Sequence, residues 1–329
     1  MNLLTNRSDY LVSAIISVYN CERFIAGCLE DLERQTIADK VEIIAVNTGS
    51  QENEREIIEK YQKQYDNIVY IEKPERLTIY AAWNIGIKAA KSKYITNANT
   101  DDRHREDAFE KMAAVLENNL EIDLVYPNYV LTEKENESFE NHTPMRHIIP
   151  SDYSQQELLI SCLPGPMPMW RRTLHNRYGY FNENLEVAGD WEFWLQISEG
   201  CRFQHINDYL GLYYANPKGA ENRDLLHTSI ETGAIGFYYH KKYFRPTHIT
   251  SDTRRILRKQ SEAAFYRADL YYGERLIKAA RREVIRSLKY YPLNFRSYQL
   301  LCMYYIPDRM VYLLQKLKKA FMHFFLSKA

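Results

Sequence analysis

Leu11-Val12-Ser13-Ala14-Ile15-Ile16-Ser17-Val18 is a nearly continuous apolar run that stops at Tyr19-Asn20. A short run without polar alternation is the pattern of a strand buried on both faces of a parallel sheet. An amphipathic segment follows, with Phe24, Ile25, Cys28, Leu29 and Leu32 on one helical face. Val41-Glu42-Ile43-Ile44-Ala45-Val46 is a second strand, ending in the turn Asn47-Thr48-Gly49-Ser50 ahead of a helix from about Asn53 to Tyr65. A strand at Ile68-Val69-Tyr70-Ile71, a helix over 79–90 and a strand at Tyr94-Ile95-Thr96 continue the alternation. Strands and helices at this spacing imply βαβ units with right-handed crossovers, and so an α/β fold built on a parallel sheet.

Ligands of such sheets bind outside the carboxyl ends of the strands. Three polar turns fall there: Ser17 to Asn20, Asn47 to Ser50, and Asn97-Ala98-Asn99-Thr100-Asp101-Asp102-Arg103. The last offers two adjacent carboxylates and an Asn, a hard-oxygen set suited to a divalent cation and the phosphates it carries. The same residue types cap helices and make turns, and a helix is expected over 106–116, so the motif by itself also reads as a capped turn. None of the three turns carries a G-x-G-x-x-G or P-loop pattern, so a pyrophosphate would be held by a metal and not by a glycine nest.

With 329 residues, 45% of them apolar and 26% charged, the chain is expected to be a soluble globular protein with one large core and an appendage, or two domains. Its 27 Tyr against 13 Phe and 4 Trp suit clefts for polar ligands such as sugars, and equally strand and helix packing. The net charge of zero is unevenly divided: residues 251–329 hold 17 Lys and Arg against 6 Asp and Glu, which leaves the first 250 residues acidic. A basic tail on an acidic body fits docking to an anionic membrane surface better than nucleic-acid binding, and also fits a solvated helical face. Cys21, Cys28, Cys162, Cys201 and Cys302 are odd in number and form no C-x-x-C pair, which points to reduced thiols. Neither a signal sequence nor an uninterrupted apolar run of 18 residues is present, so the expected location is cytoplasmic, soluble or peripheral at the inner face of the membrane.

Further along, a strand is expected at Leu124-Val125-Tyr126, a polar loop over 133–142 and a helix over 154–161, before Leu163-Pro164-Gly165-Pro166-Met167-Pro168 forces irregular backbone. Ala188-Gly189-Asp190-Trp191-Glu192-Phe193-Trp194-Leu195 opens a helix with Asp190 in its first turn, where a carboxylate also serves as an N-cap. A strand pair, 203–206 and 210–214, leads to Asn216-Pro217-Lys218-Gly219-Ala220-Glu221-Asn222-Arg223. That segment reads either as a lid over phosphates, with Lys218 or Arg223 neutralising them, or as a surface loop. Arg76, in the loop before the third helix, is a candidate phosphate or base contact. The chain is helical from about Leu225, and Ala264, Ala268, Leu270, Tyr271, Gly273, Leu276, Ala279, Ala280, Ile285, Leu288 and Pro292 resemble one tetratricopeptide-like hairpin. One such unit cannot bury its own apolar face and is expected to pack on the rest of the protein or on another chain. Residues 308–328 carry apolar side chains at helical spacing among Lys316, Lys318, Lys319 and Lys328, a pattern that serves a membrane interface, a core or a homodimer contact.

Four stretches together resemble the family-2 glycosyltransferases. Val12 to Asn20 is similar to that family's opening strand and Tyr-Asn turn, and Val46-Asn47-Thr48-Gly49-Ser50 resembles its V-D-D-G-S turn. Ile79-Tyr80-Ala81-Ala82-Trp83-Asn84-Ile85-Gly86-Ile87 resembles its I-Y-D-A-x-N-x-G-I helix start, and Asn99-Thr100-Asp101-Asp102 its D-x-D metal motif. They stand in family order over roughly residues 10–110. Trp170-Arg171-Arg172 and Gly179-Tyr180-Phe181-Asn182-Glu183 then precede Gly189-Asp190 as similar segments precede the family's catalytic base.

The resemblance implies a GT-A fold: a Rossmann-like mixed sheet with helices on both faces, over residues 1–224, plus a C-terminal α-helical extension over 225–329. The nucleotide-sugar half would span about 10–110 and the acceptor half about 120–224. It implies metal-dependent, inverting, non-processive transfer of one sugar from a nucleoside diphosphate sugar to a hydroxyl of a glycan or lipid-linked acceptor, in surface polysaccharide synthesis. Asp101, with Asp102 and Asn99, would hold Mn2+ or Mg2+, and Asp190 would be the catalytic base. Ser17, Tyr19, Asn47, Thr48, Arg76, Asn84, Asn99 and Thr100 would contact the donor, and Trp191 and Trp194 could stack on sugar faces, although their helical spacing makes at least one of them core. Asn99 stands in place of the motif's first Asp, Asn47-Thr48 in place of the Asp-Asp that reads the base, and Ala81 in place of an Asp. No Q-x-x-R-W motif follows Asp190, unlike in processive synthases. The alternatives are a catalytically silent glycan-binding or scaffold protein on the same fold, and a nucleotidyltransferase on a similar sheet.

Overall fold

The structure is a computed structural model that describes residues 10–243 and 251–303. The basic amphipathic segment 308–328 lies outside the described residues. The chain divides into two compact units, residues 1–224 and 225–329.

In the first unit, β1 (Val12–Val18), α1 (Glu22–Glu33), β2 (Val41–Thr48), α2 (Glu54–Gln62), β3 (Ile68–Lys73), α3 (Ile79–Ala89) and β4 (Tyr94–Asn97) alternate as the apolar pattern predicts. β1 lies between β2 and β4, parallel to both, and β2 pairs with β3. Successive side chains of a strand point to opposite faces. Val12, Ala14, Ile16 and Val18 therefore join Phe24, Ile25, Leu29 and Leu32 of α1 in one core. Ile15 and Val46 face the other way and meet Gly86 of α3. Burial on both faces is why β1 and β2 carry almost no polar alternation. Thr78 begins α3 by accepting a hydrogen bond from the Ala81 amide at 3.2 Å.

Past β4 the sheet becomes mixed. β5 (Arg103–His104), α4 (Ala108–Asn118), β6 (Leu124–Thr132), β7 (Arg146–Ile148), α5 (Gln155–Leu158), β8 (Met169–Arg171), α6 (Leu174–Tyr178), α7 (Gly189–Ile197), β9 (Phe203–Tyr214) and α8 (Ala220–Arg223) follow. Among the described residues the sheet order is β3-β2-β1-β4-β8-β6-β9-β5, with β7 on β6. Pairing is antiparallel at β4–β8, β8–β6 and β9–β5, and parallel at β6–β9.

Two expectations are corrected here. Residues 203–206 and 210–214 are one continuous strand, β9, and not a strand pair. Asn207-Asp208 reads as a turn in sequence, yet Asp208 accepts from Arg105 Nη1 at 2.9 Å and from Lys111 Nζ at 2.6 Å, which holds the strand extended. The ladder to β6 absorbs the irregularity as a register shift around Pro127 and Asn128, where proline has no N–H to donate. Trp191 and Trp194 of α7, at least one of which the helical spacing places in the core, are both buried, so neither offers a free face to a sugar. The Trp191 indole donates to Leu158 O at 2.7 Å, and Trp194 packs edge-on to Trp170 and Phe181.

The second unit consists, among the described residues, of α9 (Leu225–Tyr243), α10 (Ser251–Gly273), α11 (Ile277–Tyr290) and α12 (Phe295–Met303). Ala268 and Tyr272 of α10 pack with Ala280 and Val284 of α11, and Leu300 of α12 joins the same cluster. The tetratricopeptide-like pair thus finds a third helix inside its own unit.

Candidate active site

The three polar turns meet at the carboxyl ends of β1, β2 and β4, where two cavities share Ser17, Thr100, Asp101 and Asn216. The larger, of about 1190 Å3, runs from Tyr19 and Glu22 past Arg76 to Lys218 and Arg223. The smaller, of about 520 Å3, is closed by Tyr80, Trp83, Tyr129, Cys162 and Asp190.

Asp101 and Asp102 are adjacent in sequence but differ in surroundings. Asp102 is buried; its Oδ1 accepts from the Tyr214 amide at 3.1 Å and its Oδ2 from Asn99 Nδ2 at 2.9 Å. Burial, and then the neighbouring Asp101 charge, push its carboxyl well above the usual range. Asp101 is more open, and its Oδ2 accepts from Asn216 Nδ2 at 3.0 Å. β5 continues directly from this turn and pairs with β9, which brings Asn216 to Asp101. Two repelling carboxylates with the Asn99 amide oxygen beside them form a donor set of the kind that hard cations take. These are the residues that could hold a divalent cation, Asp101 being the more open of the two carboxylates. No cluster of three His, Cys, Asp or Glu forms a cage among the described residues, so water or phosphate oxygens would complete the coordination.

Asp190 is the second residue of α7, after the N-cap Ala188, and is therefore not the cap itself. Its Oδ1 accepts from the Tyr80 hydroxyl at 3.2 Å, and the Cys162 thiol approaches Oδ2 at 3.7 Å. Gly189 permits this contact, because a Cβ there would meet the Tyr80 ring at 2.7 Å. Burial raises the Asp190 carboxyl above its ordinary value, while the Tyr80 and Cys162 hydrogen bonds pull it back. Burial and the Asp190 charge in turn push the Tyr80 phenol and the Cys162 thiol well up, so both stay protonated as donors.

The remaining predicted site residues separate into two groups. Ser17, Tyr19, Arg76, Thr100 and Asp101 line the larger cavity. The Arg76 guanidinium lies 3.6 Å over the Tyr19 ring, and its Nη1 donates to Thr48 Oγ1 at 3.2 Å. Asn47, Thr48 and Asn84 are buried. Asn47 bonds Tyr70 and the Ser50 amide, both at 3.0 Å. Asn84 donates to Phe181 O and Glu183 Oε1, both at 2.9 Å, and accepts from the Phe181 amide at 3.0 Å. Sequence reasoning did not single out Tyr80, Cys162, Asn216 or Glu186 as site residues, although all line the smaller cavity. Tyr80 stood inside a quoted motif; Cys162 carried no signal.

Known proteins resemble this chain in sequence and in fold. EpsJ of Bacillus subtilis is 38% identical over 224 residues, covering 63% of this chain and 62% of that protein. A glycosyltransferase of Methanocaldococcus jannaschii is 26% identical over 234 residues, covering 70% of this chain and 77% of that protein. Chondroitin synthase of Escherichia coli is 26% identical over 199 residues, and the match covers 60% of this chain and 28% of that enzyme. The structure of S. aureus TarS in complex with UDP-GlcNAc superposes with a TM-score of 0.58 at 14% identity, over 89% of this chain and 90% of that one. Mannosyltransferase PcManGT from Pyrobaculum calidifontis, in complex with GDP-Man and Mn2+, gives 0.57 at 14%, over 86% of this chain and 76% of that one. These likenesses fix the fold as GT-A. The family model for glycosyl transferase family 2 matches residues 13–179, and the chain belongs to that family.

Proposed function

We propose that this protein transfers one sugar, with inversion, from a nucleoside diphosphate sugar to a hydroxyl of a glycan or lipid-linked acceptor in polysaccharide synthesis. The observation that carries the proposal is that Asp101, with Asp102 beside it, and Asp190 line one cavity; in this reading the first is a cation ligand and the last the proton acceptor. The donor class is supported by TarS and PcManGT, whose structures hold UDP-GlcNAc and GDP-Man.

The acceptor oxygen bonds to the anomeric carbon as the bond from that carbon to the diphosphate oxygen breaks. The electron pair leaves with the diphosphate, and the acceptor proton passes to Asp190. Tyr80 and Cys162 orient the Asp190 carboxylate. A divalent cation, when bound at Asp101, Asp102 and Asn99, supplies charge stabilisation to the leaving diphosphate. Arg76, Lys218 and Arg223 add positive charge along the larger cavity, which shares Asp101 with the smaller one. Ser17, Tyr19 and Thr100 contact the donor, while Asn47, Thr48 and Asn84 hold the frame around it. Tyr129, partly exposed in the wall of the smaller cavity, offers a ring face to the sugar in place of the buried Trp191 and Trp194.

A thermal-shift panel of UDP, GDP and CDP sugars with and without Mn2+ tests the proposal. At least one donor is expected to stabilise the protein, and to do so more strongly with the cation. Stabilisation by none of them, under either condition, contradicts it.

A further inference from the structure

The helical unit holds a cavity that the glycosyl-transfer reading does not use. It measures about 340 Å3 and lies between α9, α10 and α11, all within residues 225–303. We propose that it binds a phosphate group, and the proposal stands independently of the transferase reading.

Three guanidinium groups, Arg267, Arg282 and Arg286, line it against one carboxylate, Glu283, an excess of two positive charges. Glu283 is buried and already satisfied: Arg267 Nε donates to its Oε2 at 2.9 Å and Arg286 Nη1 to its Oε1. That carboxylate fixes the two guanidinium groups in place but neutralises only one of them. Arg282 makes no hydrogen bond or ion pair among the described residues. Arg267 also retains its Nη groups, and Arg286 its Nε and Nη2, as donors with no partner there. Geometry keeps these donors in position. The Arg286 guanidinium lies 4.1 Å from the centre of the Phe237 ring. Arg267 rests against Gly233, where a Cβ would come within 2.6 Å of its Cδ.

A concave site with surplus positive charge and forked N–H donors held by a buried carboxylate and a ring is complementary to a phosphate, which offers several acceptor oxygens and up to two negative charges. A structural ion-pair network would need no third arginine. The half-exposed Phe237 at the rim adds an apolar face for whatever carries the phosphate. Free phosphate, a phosphorylated small molecule and a phospholipid headgroup share this chemistry.

Hydrogen exchange on the full chain tests the inference, with inorganic phosphate against chloride at equal ionic strength, and with phosphatidylglycerol against phosphatidylcholine vesicles. Phosphate is expected to slow exchange in peptides over 230–237 and 279–286. Arg282→Gln should weaken that effect by about tenfold or more, and Arg282→Lys by less, because it keeps the charge but loses the fork. Lys289→Gln, at an exposed position of α11 outside the cavity, should leave it unchanged. Protection by phosphatidylglycerol vesicles alone, lost in Arg282→Gln, supports the same site with a lipid as the source. Absence of protection by either probe overturns the inference, as does equal protection in wild type and in an Arg282→Gln protein whose circular dichroism is unchanged.

Discussion

The Tyr80 hydroxyl donates to Asp190 Oδ1 at 3.2 Å across 110 positions of sequence. α3, which packs on β1 and β2, and α7, which begins one residue before Asp190, are joined at that point. The hydrogen bond favours the ionised carboxylate, whereas burial disfavours it.

The pH dependence of kcat/KM reports that balance. The acidic limb is expected above the ordinary aspartate value of about 3.9. Tyr80→Phe removes a hydrogen bond that lowers the Asp190 pKa, so the limb should move further up. A limb that stays in place in Tyr80→Phe would separate Tyr80 from the base.

Asp190 also links stability to pH. Its pKa is raised on folding, so the stability it contributes is complete below the unfolded value and is lost as pH rises through the folded one. Asp190→Asn removes a carboxylate that is costly to ionise in place. Its melting temperature should exceed wild type at neutral pH, with the gap closing below about pH 4. A gap independent of pH contradicts the assignment.

Asp101→Ala should abolish the enhancement of donor binding by Mn2+ and weaken cation-dependent affinity by about tenfold or more, as expected for loss of a charged ligand. Removing the cation from wild type with a chelator should produce the same loss, and the two effects should not add. Titration calorimetry with and without Mn2+ measures both.

Arg76→Ala removes the guanidinium from the Tyr19 ring and from Thr48. A loss of about 1–2 kcal/mol in donor affinity is expected, read as a rise in KM with little change in kcat. A fall in kcat with KM unchanged would place Arg76 in the transition state instead.

Asn84→Ala breaks two buried hydrogen bonds to Phe181 and a part-buried one to Glu183. Urea unfolding should show a loss of about 2–4 kcal/mol, from unsatisfied buried groups and not from any donor contact.

Apolar periodicity made the strands and helices of residues 10–118 legible, because each must bury one or both faces. The direction of polar side chains at the turns was not legible. Asn47 and Asn84 stand in family-like motifs, yet each bonds inward, since a motif fixes a position along the chain and not the face to which it turns. Asp208 read as part of a turn because its salt bridges reach back about a hundred residues to Arg105 and Lys111. Cys162 was invisible for the same reason: it meets Asp190 only through the irregular backbone after α5. Trp191 and Trp194 had the spacing of a packed helix, and packing is the role they have.

The central claim is that Asp190 accepts the acceptor's proton while other residues hold the donor. It is tested most directly by comparing Asp190→Asn with wild type, for donor affinity by calorimetry and for transfer by release of the nucleoside diphosphate. The prediction is donor affinity within about threefold of wild type and transfer reduced by about a hundredfold or more. Transfer at the wild-type rate in Asp190→Asn would contradict it.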